Sequence, residues 1–93
     1  MELKYRKALG RAVRRLRNQA SLTQEELAFE AGLERSYVSL VELAQKDPSF
    51  TTLQKIAGAL NFSMLELFQI YEEELKSTDK ELPPRRGRPV PRK

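Results

Sequence analysis

Two short helical segments joined by a glycine-bearing turn constrain the fold of this chain more than any other feature. Thr23 stands three residues before Glu26, which is the spacing of a capping box, where hydroxyl and carboxylate each accept a hydrogen bond from a backbone amide. The pattern predicts a helix from about Gln24 to Ala31, and Gly32 is suited to end it in a left-handed conformation. A polar turn leads into the next helix, so the two helices must meet at a corner.

The second helix of this corner is "RSYVSLVEL", residues 35–43, and it divides into two faces. At about 100° per residue, Val38, Val41 and Glu42 cluster on one side. Four residues share the opposite side: Ser36, Ser39, Leu40 and Leu43. Arg35 lies on the flank, near the N-terminal end. The sequence therefore predicts one buried face and one outward face.

Further amphipathic segments accompany this pair. Apolar residues recur at helical spacing before the corner, over residues 3–19, and twice after it. Ser63 stands three residues before Glu66, so the last segment begins with a second capping-box pattern. No segment shows a convincing strand pattern, and the predicted fold class is therefore all-α. The predicted domain covers residues 3–75, with the corner at about 23–43.

The composition excludes several classes of protein. The 93 residues include no cysteine and no histidine, which removes disulfides, thiol chemistry and nearly all transition-metal sites. A glycine-rich phosphate loop and a recognisable pair of catalytic acids are also missing, so we expect no enzyme, no cofactor and no small-molecule ligand. No apolar run approaches the roughly 18 residues that span a bilayer, and the N-terminus lacks a signal-peptide pattern. We therefore expect no membrane association and a cytoplasmic protein.

The charges are distributed unevenly along the chain. Residues 1–20 carry seven basic residues against one acid, and residues 76–93 carry seven against two, whereas residues 21–75 carry three against ten. These balances of +6, +5 and −7 add up to the net charge of +4. A polyanion should therefore be held by the two ends of the chain rather than attracted by its centre.

The stretches "LTQEELAFEAGLERSYVSLVE" and "DPSFTTLQKIAGALNFSMLELF" closely resemble the Cro and phage-repressor type of helix-turn-helix regulators, the XRE family. The resemblance covers about residues 9–70. It rests on the "LxxIAxAL" pattern of the fourth helix and on positions along the corner and the loop after it: Gln24, Ala28, Gly32, Val38, Val41, Glu42 and Pro48. It implies a compact five-helix, lambda-repressor-like DNA-binding domain. It also implies a regulator of transcription that binds double-stranded DNA, usually as a homodimer on a two-fold symmetric operator. The tail at residues 76–93 has four prolines, seven basic residues and almost nothing to bury, so we expect it to be disordered.

The resemblance implies that the third of the five helices, residues 35–43, reads the DNA major groove. Arg35 is the candidate for direct base contact, because a guanidinium can bond guanine O6 and N7 together, which contributes about 1–3 kcal/mol of discrimination. Ser36 and Ser39 are candidates for bonds to bases or phosphates, and Leu40 for contact with a thymine methyl group. The alternative for Arg35 is a solvated surface charge.

Three further residues are candidates for phosphate contacts. Gln24 matches the family glutamine at the start of the second helix, where free amides and the helix dipole favour an anion, although it also suits a helix for its propensity alone. Tyr37 and Lys46 are the other two, with a purely structural role equally open. Glu42 falls on the core side, and the family pattern pairs such a glutamate with an arginine, here Arg17, in a structural ion pair.

The sequence also departs from the family pattern. Leu40 and Leu43 stand where many members have basic or amide residues, and Ala44 stands where glycine is usual after the third helix. These departures leave an apolar stripe on the supposed DNA face. A protein partner for that stripe is therefore an alternative to DNA.

Two more surfaces are predicted from the last helix and the tail. The last helix often forms the dimer interface in similar regulators, which makes Leu65, Phe68 and Glu72 the candidate interface residues. The tail contains Arg86-Gly87-Arg88-Pro89, which resembles the core of an AT-hook, a motif that inserts arginines into a narrow A·T minor groove. Nonspecific contact with polyanions is the alternative for the tail.

The sequence thus predicts a bacterial or phage-type transcriptional regulator that binds specific double-stranded DNA as a repressor or autoregulator, in the cytoplasm at the nucleoid. Two alternatives stay open. The same domain would serve an antitoxin or a restriction-modification controller protein. It would also serve a protein-interaction module that has lost specific DNA binding.

Overall fold

Five helices form the part of the chain that the computed structural model describes, which is residues 1–80 for the backbone and 1–77 for the side chains. In chain order they are α1 (Leu3–Gln19), α2 (Gln24–Ala31), α3 (Arg35–Glu42), α4 (Phe50–Ala59) and α5 (Met64–Lys80). Within residues 1–80 there is no strand, so the predicted all-α class is confirmed. α5 continues to Lys80, beyond position 75, where the predicted domain ends.

Side-chain caps begin three of these helices. At α2, Thr23 Oγ1 accepts from the Glu26 amide at 3.0 Å and Glu26 Oε1 accepts from the Thr23 amide at 2.8 Å. The equivalent pair at the start of α5, Ser63 with Glu66, is bonded at 3.1 and 2.8 Å. Both predicted capping boxes are confirmed. Ser49 caps α4 by accepting from a backbone amide at 3.1 Å, which the sequence analysis did not identify.

The first four helices all end in the same way, with one residue in the left-handed region. These residues are Ser21, Gly32, Ala44 and Asn61, with φ between 59° and 70°. The amide that follows each of them bonds back to a carbonyl five residues earlier, at 2.8–3.1 Å, which is the Schellman arrangement. The left-handed Gly32 is confirmed as predicted, and the other three turns take the same shape without glycine.

The core lies between the five helices. Its largest fully buried side chains come from all five helices: Val13, Leu16, Leu27, Val38, Val41, Ile56 and Leu67. α1 packs along α5 and also against α3, while α2 packs against α3 and α4. α3 is therefore held from two sides and presents its remaining surface outward. Among the described helices, none has the length and apolarity that crossing a bilayer requires.

Candidate nucleic-acid interface

The inner face of α3 is completely covered by the rest of the domain. Val38 and Val41 are buried to 0% and 1% exposure, and the side chain of Glu42 is exposed by only 2%. These are the three residues that helical phase placed inward. Burying two branched aliphatic side chains contributes about 1.5–3 kcal/mol each, so the inner face determines how α3 sits in the fold.

The outer face of α3 is graded rather than uniformly open. Arg35 and Ser36 are exposed at its N-terminal end, and Leu43 is 59% exposed at its C-terminal end. Between them Ser39 and Leu40 are only half-buried. The predicted apolar stripe is therefore interrupted, because Leu43 is open to solvent while much of Leu40 is covered.

A hollow of about 450 Å³ lies beside this face. Its lining runs from the turn after α2, along α3 and into the loop after it: Gly32, Leu33, Glu34, Ser36, Tyr37, Leu40 and Lys46. The Lys46 ammonium lies 5.9 Å from the centre of the Tyr37 ring, within the range of a cation–π contact. Two of the predicted phosphate contacts, Tyr37 and Lys46, are thus brought together with Ser36 and Leu40 around one concave surface.

At the C-terminal end of α3, a buried ion pair joins α1 to α3. Arg17 on α1 donates to Glu42 through Nε at 2.6 Å and through Nη2 at 3.0 Å, so the structure brings the predicted pair together in two-point geometry. The remaining guanidinium nitrogen of Arg17, Nη1, donates to the Leu22 carbonyl at 2.8 Å. The guanidinium therefore links the end of α1, the turn before α2 and the last residue of α3.

The electrostatics of this corner favour the charged form of the arginine. The hydrogen bond to Glu42 raises the pKa of Arg17 above its ordinary value, although burial of the guanidinium acts in the opposite direction. Arg17 is 12% exposed at its side chain and its carboxylate partner 2%. Both charges are desolvated, so removing one partner leaves the other buried without a counter-charge. Loss of either partner should therefore destabilise the packing of the helices at this corner.

Gln24 also belongs to this corner. Its Nε2 donates to Glu42 Oε1 at 3.0 Å, so the side chain lies between the start of α2 and the end of α3. The sequence predicted a contact between this residue and a DNA phosphate. A phosphate contact by its side chain has to use the second N–H of the same amide group, with the first one directed to the carboxylate.

Gly10 positions α3 and was missed by the sequence analysis. A Cβ atom built at Gly10 would lie 2.6 Å from the Val41 carbonyl oxygen and 2.7 Å from that of Glu42. The backbones of α1 and α3 therefore touch at this point, and only glycine leaves the necessary room. The sequence did contain a signal for this contact. A glycine inside an amphipathic helix costs about 0.5–1 kcal/mol relative to alanine, so its presence indicates a position where a side chain would not fit.

The turn that follows α3 contains a departure from the family pattern with a structural consequence. Ala44 has φ of 65°, in the left-handed region that disfavours residues with a Cβ atom by about 1–2 kcal/mol. This explains why glycine is the usual residue there. The Ala44 carbonyl accepts from Arg6 Nη1 at 3.0 Å, which ties the turn to α1.

The three candidate dimer residues lie together on the outside of α5. Leu65 is 68% exposed, Phe68 is 39% exposed, and Glu72 is also exposed. Phe68 also borders an apolar groove of about 290 Å³ between α1, α4 and α5, lined further by Met1, Tyr5, Leu9, Leu53 and Tyr71. The tail candidates Arg86, Gly87, Arg88 and Pro89 lie outside the described residues.

Comparison with known families identifies the group to which this arrangement belongs. A protein-family model described as Helix-turn-helix matches residues 13–67. The chain belongs to the XRE-type helix-turn-helix family of transcriptional regulators. The matched residues run from the second half of α1 to the first turn of α5, and so include α2, α3 and the turn between them.

Relatives of this helix-turn-helix chain agree with the assignment. Over 62 residues it is 39% identical to y4dJ, an HTH-type transcriptional regulator of Sinorhizobium fredii, in a match that spans 67% of this chain and 80% of the relative. Its structure resembles that of ClgR, the clp gene regulator of Corynebacterium glutamicum, with a TM-score of 0.78, 26% identity, and coverage of 83% and 82%. It also resembles the restriction-modification controller protein C.AhdI of Aeromonas hydrophila, with a TM-score of 0.66, 43% identity, and coverage of 68% and 96%.

Proposed function

We propose that this helix-turn-helix chain represses transcription, its own included, by binding a two-fold symmetric operator as a homodimer, with α3 in the major groove. The observation that carries the proposal is the division of α3. Its inner face is locked by Val38, Val41 and Glu42, while its N-terminal end leaves Arg35 and Ser36 exposed. A rigid helix with open polar residues at its N-terminal end is what groove readout requires.

The base contacts in this proposal come from Arg35, Ser36, Ser39 and Leu40. Within the described residues, the Arg35 side chain makes no hydrogen bond or ion pair, so its guanidinium is available for the two acceptors of a guanine. Ser39 and Leu40 are half-buried and would contact only bases that approach the helix closely. A half-buried Leu40 beside its hollow suits a thymine methyl group better than a charged group.

Phosphate contacts in this proposal flank the helix. Lys46 and Tyr37 line the hollow beside α3, and Gln24 stands at the start of α2, where backbone amides favour an anion. Such contacts hold the orientation of α3 without reading sequence. The proposed AT-hook-like contact of residues 86–89 would add affinity on sites flanked by A·T pairs.

The homodimer in this proposal uses the outside of α5. Leu65 and Phe68 are exposed there, and Phe68 borders an apolar groove. A two-fold axis through such a surface buries the same residues from both copies. Two copies of α3 would then face half-sites about one helical turn of DNA apart, or 34–36 Å. Glu72 would lie at the polar rim.

A binding titration tests the proposal directly. Fluorescence anisotropy of the full chain, at about 150 mM salt, would compare the duplex upstream of its own gene with a scrambled duplex of equal composition. We expect the upstream duplex to bind at least 10³ times more tightly, with two chains per site. Equal affinity for the two duplexes would overturn sequence-specific binding and would favour the protein-interaction alternative for the Leu40 and Leu43 surface.

A restriction-modification controller is the second candidate function. It is favoured by the 43% identity to C.AhdI, whose structure this chain covers to 96%, and by 41% identity over 59 residues to the control protein C.SmaI of Serratia marcescens. The same titration distinguishes the two functions if it includes the DNA upstream of a neighbouring endonuclease gene. Tight binding there, in addition to the chain's own upstream DNA, would support the controller.

A further inference from the structure

The outer surface of α2 carries an exposed aromatic ring that DNA reading by α3 does not use. Phe29 is 82% exposed, more than any other large apolar side chain in the described part of the chain. It borders a hollow of about 350 Å³ together with the partly buried Leu22. Exposing an aromatic ring to this extent forgoes a burial gain of about 1.5–3 kcal/mol, so the ring is available to a partner.

Carboxylates surround this ring. Glu25, Glu26 and Glu30 line the same hollow and are all exposed. Glu26 accepts the Thr23 amide in the capping box, whereas Glu25 and Glu30 pair with no cation within residues 1–77. We call Leu22, Glu25, Glu26, Phe29 and Glu30 the α2 surface. Its partner should present cations together with groups that pack on an aromatic ring.

The chain itself contains a segment with that chemistry. Residues 81–93, "ELPPRRGRPVPRK", hold five basic residues, one acid and four prolines. Proline-rich segments dock on exposed aromatic side chains with little loss of conformational entropy. Arginine binds carboxylates through two parallel hydrogen bonds. The segment is therefore complementary to the α2 surface in charge and in the prolines that it offers to the aromatic ring.

The segment is also long enough to return to the domain. It follows Lys80, the last residue of α5, and 13 extended residues reach about 43 Å. Arg15, in the last turns of α1, pairs with Glu73 and Glu74 of α5 at 2.9 and 3.3 Å, and Leu22 lies three residues after α1 ends at Gln19. The second half of α5 therefore lies beside the end of α1 from which the chain enters α2, so the segment begins on the side of the domain that carries the α2 surface.

We propose that, in the absence of DNA, residues 83–93 bind the α2 surface, with prolines packed on Phe29 and arginines paired with Glu25 and Glu30. Nucleic acid and the α2 surface then compete for the same arginines. While the tail is bound to the α2 surface, its arginines cannot contact DNA. Binding to nonspecific DNA is therefore weaker than it would be with a free tail, because the DNA must first displace the tail. The docking itself does not depend on the proposed operator binding, since it occurs in the free protein.

A paramagnetic label on the tail tests this contact. The chain has no cysteine, so Val90→Cys provides a single attachment site for a nitroxide in the full-length protein. Amide signal intensities are compared before and after reduction of the label, without DNA and at about 50 mM salt. We expect the oxidised label to reduce the intensities of Leu22 and residues 25–30 at least twofold, with much smaller losses elsewhere in α1, α3 and α4.

Two variants distinguish docking from diffuse attraction. Glu25→Gln/Glu30→Gln removes the charges, and Phe29→Ser removes the ring; each should restore the intensities of residues 25–30. Phe50→Ser is the matched control, because Phe50 is likewise exposed, at 65%, but lies at the start of α4. Uniform intensity losses across the domain, or full persistence of the effect in Phe29→Ser, would overturn the proposal. Because no DNA is present, its failure would leave the proposed function untouched.

Discussion

The two ends of α3 differ in how their polar groups are used. At its C-terminal end, the Glu42 carboxylate is almost completely buried and accepts hydrogen bonds from Arg17 and Gln24. At its N-terminal end, Arg35 is exposed and, among the described residues, has no bonded partner. An eight-residue helix thus serves two purposes: one end holds the fold together and the other is left for a ligand. Substitutions at the two ends should accordingly affect different measured quantities.

The largest effect is expected from Glu42→Gln. The substitution preserves size but leaves the guanidinium of Arg17 desolvated without its counter-charge, which should cost roughly 3–5 kcal/mol of unfolding free energy. Urea denaturation followed by circular dichroism measures this. Glu73→Gln is the control, because Glu73 pairs with Arg15 at 2.9 Å but is 58% exposed, and exposed pairs contribute about 0–1 kcal/mol. Equal small losses in both variants would remove the distinction between the two ends of α3.

Gly10→Ala tests whether the contact between α1 and α3 needs a residue without a side chain. The new Cβ atom would overlap two backbone carbonyl oxygens of α3, and overpacking of this kind costs typically 1–3 kcal/mol. Gly58→Ala is the matched control in α4, where nothing lies within 4 Å, so helix propensity should stabilise it by up to about 1 kcal/mol. Opposite signs in thermal or urea unfolding are therefore expected. A stabilised Gly10→Ala would mean that α3 does not approach α1 so closely.

Arg35→Ala addresses the other end of α3. We expect it to weaken binding to the preferred duplex by about 1–3 kcal/mol, through loss of a two-point base contact, and to leave unfolding free energy within about 0.5 kcal/mol of the wild type. Anisotropy titrations and urea denaturation measure the two quantities. Lys76→Ala, which removes an exposed charge near the end of α5, controls for net charge. If both variants lost the same affinity, Arg35 would contribute only a nonspecific charge.

The turns that flank α3 allow the smallest effects to be compared. Gly32→Ala introduces a Cβ atom at φ of 70° with nothing within 4 Å, so conformational strain alone should cost about 1–2 kcal/mol. Ala44→Gly relieves similar strain but loses a buried methyl group, about 0.8 kcal/mol, and adds chain entropy to the unfolded state, about 0.4–1 kcal/mol. We expect a net change near zero. A gain above about 1 kcal/mol in Ala44→Gly would show that the strain at this turn dominates.

Prediction from sequence succeeded where the cause is local. Thr23 with Glu26, and Ser63 with Glu66, form their hydrogen bonds within one helical turn, so the residues alone determine where α2 and α5 begin. The inward position of Val38, Val41 and Glu42 follows equally from the helical repeat. The family resemblance, which relies on these same positions, was sufficient to predict the arrangement of five helices.

Prediction was incomplete where the cause is a neighbour in space. Phe68 was predicted as an interface residue, but the apolar groove that it borders between α1, α4 and α5 was not predicted. Leu40 was expected to be as open as Leu43, yet surrounding residues cover part of it. The direction of the Gln24 side chain depends on the carboxylate across the corner, at 3.0 Å. Helical phase predicts none of these three features, because each depends on residues outside the helix concerned.

"RSYVSLVEL" illustrates both sources of structure. Its sequence alone determined a helix with an apolar inner side, because the backbone repeat of 3.6 residues assigns each side chain a direction. Only the tertiary structure decided how deep that helix lies, because its depth depends on the missing side chain of Gly10 and on the ion pair with Arg17. Contacts between residues distant in the chain form only after the helices pack. For this reason, how far Arg35, Leu40 and Leu43 are exposed followed only from the assembled fold.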